Sequence, residues 1–438
     1  MRLLQYRPIN ALASVTLLTV MLTIAGCGSK GPELVAAPNL FVDSTEDPFA
    51  AVPPELQSNT ATVVYATDRQ SETVEGVYGY NAKRSRSTAF GLCTVRMGEE
   101  TTTWEELSAA SRTAARPEPI PLTLTGIDER GRYPALGGAV EVDGRWIDDP
   151  AWVAECETET EKLHQLLAEQ LAKTPRKELY VFVHGYNNSF ASGAFRAAQL
   201  WHFCGRGGVP VMFSWPAGST GVLQGYTRDR ESGEFANPHL KNFLRELSTC
   251  PEVEKIHLIA HSRGTDILAT AVRELHIENR GAGKDTRAAL KIGQLLLAAP
   301  DIDLDVFLER FSADRVGFVA EQLTIYVSHN DKAIGIANWL FGSVRRIGQL
   351  AMGDLPPQAA QALKQHPVLS IVDMHAKTDR RGHGYFLSSP AALSDVILVL
   401  RDHRKPGADH GRPLVDNPTG FWELHDGYPS VAPANPKQ

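Results

Sequence analysis

Strands and helices alternate along the second half of this sequence. This predicts an α/β fold with a mostly parallel central sheet and helices on both faces. Two observations carry that expectation. Residues 179–183 (LYVFV) and 256–260 (IHLIA) are nearly unbroken apolar runs, as strands buried on both faces require. Each is followed by a stretch of helical length and then by another short apolar run.

The elements follow in order. A β-rich run at 62–66 opens the ordered part, and a second strand is expected at 90–96. Residues 98–150 mix Pro and Gly with short runs and form the least legible stretch. Pro150 suits the first turn of a helix to Leu171, capped by Asp149. Strands then fall at 179–183, 209–213, 256–260, 294–298, 323–327 and 369–372. Helices are expected at 189–203, 238–247, 263–275, 304–311 and 391–400, with an irregular helical region over 334–363. The domain is thus expected over 60–404, with 60–150 as N-terminal strands and insertion and 174–402 as the core. Residues 405–438 are rich in Pro, Gly and Asp and are expected to be an irregular tail.

The first residues read as an export signal. Arg2 and Arg7 precede an uncharged, mainly apolar run over 9–24, which ends at Ile24-Ala25-Gly26-Cys27. That ending resembles the lipobox of bacterial lipoproteins, where the cysteine is lipidated and begins the mature chain; here that is Cys27. Residues 1–26 are then a signal peptide and 27–59, rich in Pro, Ala and Ser, a tether. Gly28 rather than Asp after Cys27 points to the periplasmic side of the outer membrane. Removing Arg2 and Arg7 leaves 42 basic against 51 acidic residues, a net charge of −9. Such a chain has no electrostatic hold on anionic lipid or nucleic acid, so membrane attachment rests on acyl chains. Four cysteines remain: Cys93, Cys156, Cys204 and Cys250. They allow two disulfides or four free thiols, no Cys-x-x-Cys spacing suggests zinc, and no metal is expected. No cofactor is expected.

Chemistry concentrates at Ala260-His261-Ser262-Arg263-Gly264, between a strand and a helix. A serine there sits on a tight strand-to-helix turn, and residues two before and two after it must be small. Ala260 and Gly264 meet that need. Directly after the strand ending at Val183 comes His184-Gly185-Tyr186-Asn187-Asn188. Backbone N–H groups of Tyr186 and Arg263 are the expected oxyanion donors. His184 is read as ordering its loop. A serine nucleophile needs a base, and the base an orienting acid. Asp331, past the strand ending at Val327, suits the acid; Asp301 and Asp303 read better as a cap for the helix near Leu304. His383, flanked by glycines ahead of the last helix, suits the base better than His375, close to its strand end. Trp215 in Ser214-Trp215-Pro216-Ala217-Gly218 suits either a pocket wall or core packing.

Together these blocks resemble a family of bacterial α/β-hydrolases of unknown function, often labelled esterase/lipase superfamily proteins. Tyr65-Ala66-Thr67-Asp68-Arg69, the segments at Phe182–Asn187 and Phe213–Pro216, the serine pentapeptide, Ala299-Pro300-Asp301 and Asn330-Asp331-Lys332-Ala333 carry the likeness. His383 stands at the family histidine, followed by Gly384 where the family often has Ser. The resemblance implies an α/β-hydrolase fold and a Ser262–His383–Asp331 triad, and no particular substrate. The expected reaction is hydrolysis of an ester or related acyl bond in a small or lipid-like substrate. Acyl transfer or amide hydrolysis by the same groups, and a non-catalytic envelope lipoprotein, are the alternatives.

Overall fold

The described residues form an eleven-stranded sheet. The computed structural model describes residues 31–218, 222–328, 347–349, 361, 365–376, 383–418 and 420–430. The strands are β1 (Thr60–Val74), β2 (Val77–Met97), β3 (Leu122–Tyr133), β6 (Glu178–Val183), β7 (Val209–Ser214), β8 (Lys255–His261), β9 (Ile292–Ala298), β10 (Gln322–Val327), β11 (Leu369–Met374), β12 (Val415–Asp416) and β13 (Trp422–Leu424). β4 (Ala139–Val142) and β5 (Arg145–Asp148) form a separate hairpin. Across the sheet the order is β12-β13-β11-β10-β9-β8-β6-β7-β1-β2-β3. From β13 to β1 neighbours are parallel, apart from the outer strands β12, β2 and β3, which pair antiparallel. This is the mostly parallel α/β sheet that the alternation predicts.

The helices are α1 (Asn39–Val42), α2 (Trp104–Ala110), α3 (Pro150–Leu171), α4 (Phe190–Phe203), α5 (Val222–Thr249), α6 (Gly264–Gly281), α7 (Thr286–Leu290), α8 (Leu304–Asp314), α9 (Tyr385–Ser388) and α10 (Pro390–Leu400). Alternation along each strand separates two cores. Tyr180 and Phe182 of β6, Met212 of β7 and Ile259 of β8 pack with α4 and α10. Leu179, Val181, Val183, Val211 and Leu258 pack with α3, α5 and α6. A strand buried this way needs apolar residues on both faces, which is why it reads as a run.

Local chemistry sets several boundaries. Asp149 caps α3, its side chain accepting the Ala151 N–H, and Pro150 occupies the first turn. Ser189 caps α4 and Ser389 caps α10 in the same way. α5 departs from expectation. It begins at Val222, and Pro238 lies inside it rather than at its start. Its first half carries Arg228, Asp229, Arg230, Glu231 and Glu234, so no apolar stripe betrays the helix.

Both flanks of the domain differ from expectation. From Pro32 the expected tether is packed: Leu34, Phe41, Phe49 and Val52 are buried. The Leu34 N–H donates to Ile120 O, and Phe41 stacks edge-on against Phe49. Four widely spaced apolar residues suffice to dock a segment that lacks periodicity. The expected irregular tail contributes β12 and β13, and β13 pairs with β11. Residues 98–150 hold α2, β3 and the β4–β5 hairpin. Cys93, Cys156, Cys204 and Cys250 are free thiols. The expected signal peptide, Cys27 and most of 334–363 lie outside the described residues. No described helix is long and apolar enough to cross a membrane.

One buried ion pair ties the tail to the core. Arg412 donates Nε and Nη2 to the two oxygens of Asp395 on α10, at 2.8 and 2.7 Å. The hydroxyls of Tyr326 and Tyr428 donate to the same carboxylate. Neither charged side chain touches solvent. Removing one partner strands the other charge. Arg412→Ala is therefore expected to lower unfolding stability by about 3–5 kcal/mol in urea melts. A loss below about 1 kcal/mol, the range of a surface pair, would contradict this account.

Candidate active site

β6 and β8 lie side by side, although β7 intervenes between them in sequence. The chain order therefore reverses at this point, and the crevice beyond the carboxyl ends of such strands is where ligands bind in open α/β sheets. Val183 is in register with Ala260, so the His184 loop and the Ser262 turn leave the sheet together.

Ser262 connects β8 directly to α6 and has φ +54°, the left-handed region that a serine adopts only under constraint. Its N–H donates to Ala298 O at 2.9 Å, and its carbonyl accepts the Thr265 hydroxyl at 2.6 Å. Glycine on either side makes the turn possible. A Cβ at Gly264 would lie 2.4 Å from His184 O, and one at Gly185 would lie 2.7 Å from Ser262 Cβ. Gly264 and Gly185 are thus mutual conditions: each lets one loop pass against the other.

Two of the three expected triad members meet. His383 Nε2 lies 2.8 Å from Ser262 Oγ, although the residues are 121 positions apart. His261 braces that contact: its Nε2 lies 3.0 Å from His383 O and its ring stacks on Phe386 at 4.9 Å. Burial, with His383 beside it, holds the His261 ring well below the usual histidine range. It is therefore neutral and donates to the His383 carbonyl. The one signal for His261 in the sequence is its place immediately before the serine.

The third expected member, Asp331, lies outside the described residues. Asp303 caps α8, its Oδ1 accepting the N–H groups of Asp305 and Val306 at 3.0 and 3.1 Å. Asp301 is buried, with its amide 3.5 Å from Ser262 O. His375 pairs with Asp373 at 3.1 Å and stacks on His425.

The two expected oxyanion residues flank the serine. Tyr186 follows Gly185, which abuts Ser262, and Arg263 begins the turn into α6. The Arg263 side chain is turned away into an ion pair with Asp266 at 2.8 Å. His184 is fully buried, with Nδ1 3.0 Å from Gly185 O and Nε2 3.1 Å from Ser214 Oγ. Trp215 stacks on it at 5.4 Å and donates its indole N–H to His184 O. Trp215 has no exposed surface, so it packs and braces rather than lining a pocket.

Two buried charges hold this loop system. Arg69 donates Nε to Ser214 Oγ, Nη1 to Ala217 O and Asn81 O, and Nη2 to Asn188 O, at 2.7–3.1 Å. Burial lowers its pKa to about 10, so it stays cationic at neutral pH. Asp229 of α5 accepts the N–H groups of Asn187 and Gly218 at 3.0 and 3.2 Å. Asn187 also has a positive φ, +53°. The neighbouring Asp68 carboxyl is fully buried, and burial pushes it up to about 8.

Among the described residues, Glu178, His257 and His403 form the one group with metal-ligand proximity. It sits at the amino end of β6, opposite the serine. His257 Nδ1 accepts the Gln294 N–H at 3.2 Å, so Nε2 carries the ring proton and faces Glu178 at 3.4 Å. A metal on Nε2 would require the other tautomer. The group suits a neutral imidazole turned toward a carboxylate rather than a metal.

Burial, then Arg69, lowers His184 to about 3 from an ordinary 6.5. Between those values the unfolded chain binds a proton that the folded one excludes. This stability is complete above pH 6.5 and is lost as pH falls toward 3. His184→Gln is expected to flatten the decline between pH 7 and 4 by roughly 3 kcal/mol in unfolding titrations. Parallel pH profiles for the two proteins would show that His184 carries no such penalty.

Residues 159–401 match the family model described as α/β hydrolase of unknown function (DUF900). No curated protein matches the chain. The matched span covers more than half of the sequence and runs from α3 to the end of α10, including the elbow serine and its histidine. With its parallel sheet, its elbow after β8 and its loop after β6, the chain belongs to this family of α/β-hydrolases.

Proposed function

We propose that this protein is a serine hydrolase that cleaves a carboxylic ester or related acyl bond through a covalent acyl-enzyme. The observation that carries the reading is the 2.8 Å approach of His383 Nε2 to Ser262 Oγ on a left-handed elbow. A serine hydroxyl attacks a carbonyl only if its proton has somewhere to go. In this reading Ser262 Oγ bonds to the acyl carbon as its proton passes to His383 Nε2. The carbonyl π electrons move to oxygen, which the Tyr186 and Arg263 N–H groups stabilise. Collapse expels the alcohol, which takes the proton from His383. Water then attacks the acyl group by the same route and returns Ser262. Asp331 orients the imidazole; its place past the β10 strand supports this assignment.

Covalent labelling by a fluorophosphonate, mapped by mass spectrometry, tests the nucleophile. The adduct is expected on Ser262, and turnover of p-nitrophenyl esters is expected to fall by about 10³-fold or more in Ser262→Ala. His383→Ala should lose about as much, and the double variant little more, because the two act as a unit. Label on another serine, or none on folded protein, would remove the basis of the reading. Asp331→Ala should cost far more turnover than Asp301→Ala; the reverse order would transfer the orienting role to Asp301.

We also propose that the chain is anchored through lipidated Cys27, facing the periplasm from the outer membrane, on the strength of the apolar run ending in Ala25-Gly26-Cys27. Cys27→Ser is expected to move the protein from the membrane to the soluble fraction. Unchanged membrane association would reject the anchor.

A further inference from the structure

A cleft of about 570 Å³ lies apart from the elbow and its loops, between one face of α3 and one face of α5, with β2 and β3 beside them. Its size is that of a small-molecule site. Tyr133, Trp152 and Phe243 supply aromatic walls. Around them stand Asp148, Glu157, Glu161 and Glu246, and among the described residues none of these four is paired with a cation. Among the described residues Arg245 is the one cationic lining residue, and its guanidinium is committed to Glu278 at 2.6 Å and Asn242 Oδ1 at 2.7 Å. Glu246 Oε2 is held by the Thr160 hydroxyl at 3.0 Å, which in turn meets the Tyr133 hydroxyl at 3.2 Å. One acidic end is therefore positioned rather than loose.

The other end is different. His239 is 2% exposed and lines the cleft. Its Nδ1 meets Thr88 Oγ1 at 2.7 Å, and its Nε2 has no hydrogen-bond partner among the described residues. Burial lowers the ring to about 4, so it is neutral and Nε2 can accept a hydrogen bond while Thr88 takes the Nδ1 proton. His239 and Glu246 are seven residues apart on α5, which places them on one face roughly 10 Å from each other.

We propose that this cleft binds an organic ammonium compound with an aromatic or apolar body, its cation at the Glu246 end and a hydrogen-bond donor toward His239. Unpaired carboxylates beside aromatic faces favour a cation twice, by charge and by ring quadrupole. The same carboxylates repel anions and gain nothing from a neutral body. The inference does not depend on Ser262 being a nucleophile, because its readout is binding.

Calorimetric titration of the full protein at pH 7 with tryptamine, and with tryptophol as its uncharged isostere, tests the site. Tryptamine is expected to bind saturably and tryptophol about tenfold more weakly or less. Glu246→Gln should weaken tryptamine about tenfold and leave tryptophol unchanged. Val153→Trp, which fills the cleft, should remove tryptamine binding. The proposal is overturned by equal affinity for the two compounds, by no saturable tryptamine binding, or by tryptamine binding that neither variant alters.

Discussion

At Ser262 the backbone must leave a strand, turn through a left-handed residue and enter a helix without an intervening loop. A serine at φ +54° costs on the order of 1 kcal/mol or more, so the surroundings must over-determine it. They do so from three sides. Ala298 on the neighbouring strand takes the Ser262 N–H, Thr265 in the first turn of α6 takes its carbonyl, and the β6 loop presses Gly185 against it. The hydroxyl is thereby set at the sheet's carboxyl edge, where a histidine from the far end of the chain reaches it. Every other feature of the site is an accommodation to that turn.

The loops around it are held by buried charge as well as by ring packing. Loops passing close to one another cannot all hydrogen-bond as a sheet does, and their buried carbonyls and N–H groups need partners. Arg69 supplies donors to Asn81, Ser214, Ala217 and Asn188, and Asp229 supplies an acceptor to Asn187 and Gly218. One guanidinium and one carboxylate thus join the segments after β6 and β7 to β1–β2 and to α5. A guanidinium suits this role because its planar fork presents five donors in fixed directions. Its burial is compensated by those bonds, which is why its loss would disturb several segments at once.

The flanking segments show the same economy at the sheet's edges. The N-terminal stretch from Pro32 covers the face of α4 and α10 with Leu34 and Phe41, and the C-terminal stretch adds β13 beside β11. An uncovered parallel edge strand would leave a row of unpaired backbone groups. The Asp395–Arg412 pair, buried among Tyr326 and Tyr428, fixes where the tail returns.

Much of this was written locally. The apolar runs that became β6 and β8, the Asp149-Pro150 start of α3, the small residues around Ser262 and the glycine of the His184 loop each report a short-range constraint: burial on both faces, a missing N–H, a missing Cβ. Such constraints act over a few residues, so sequence by itself determined the α/β class, the elbow and the serine. What depended on partners distant in the chain was decided only by the fold. No local pattern around Arg69 or Asp229 marks them as loop clamps, because their partners lie on other segments, 11 to 148 positions away. His261 as a brace, Trp215 as packing, the long charged start of α5 and the docking of both flanks were invisible for the same reason: a side chain's environment is set by elements that only the tertiary structure brings beside it.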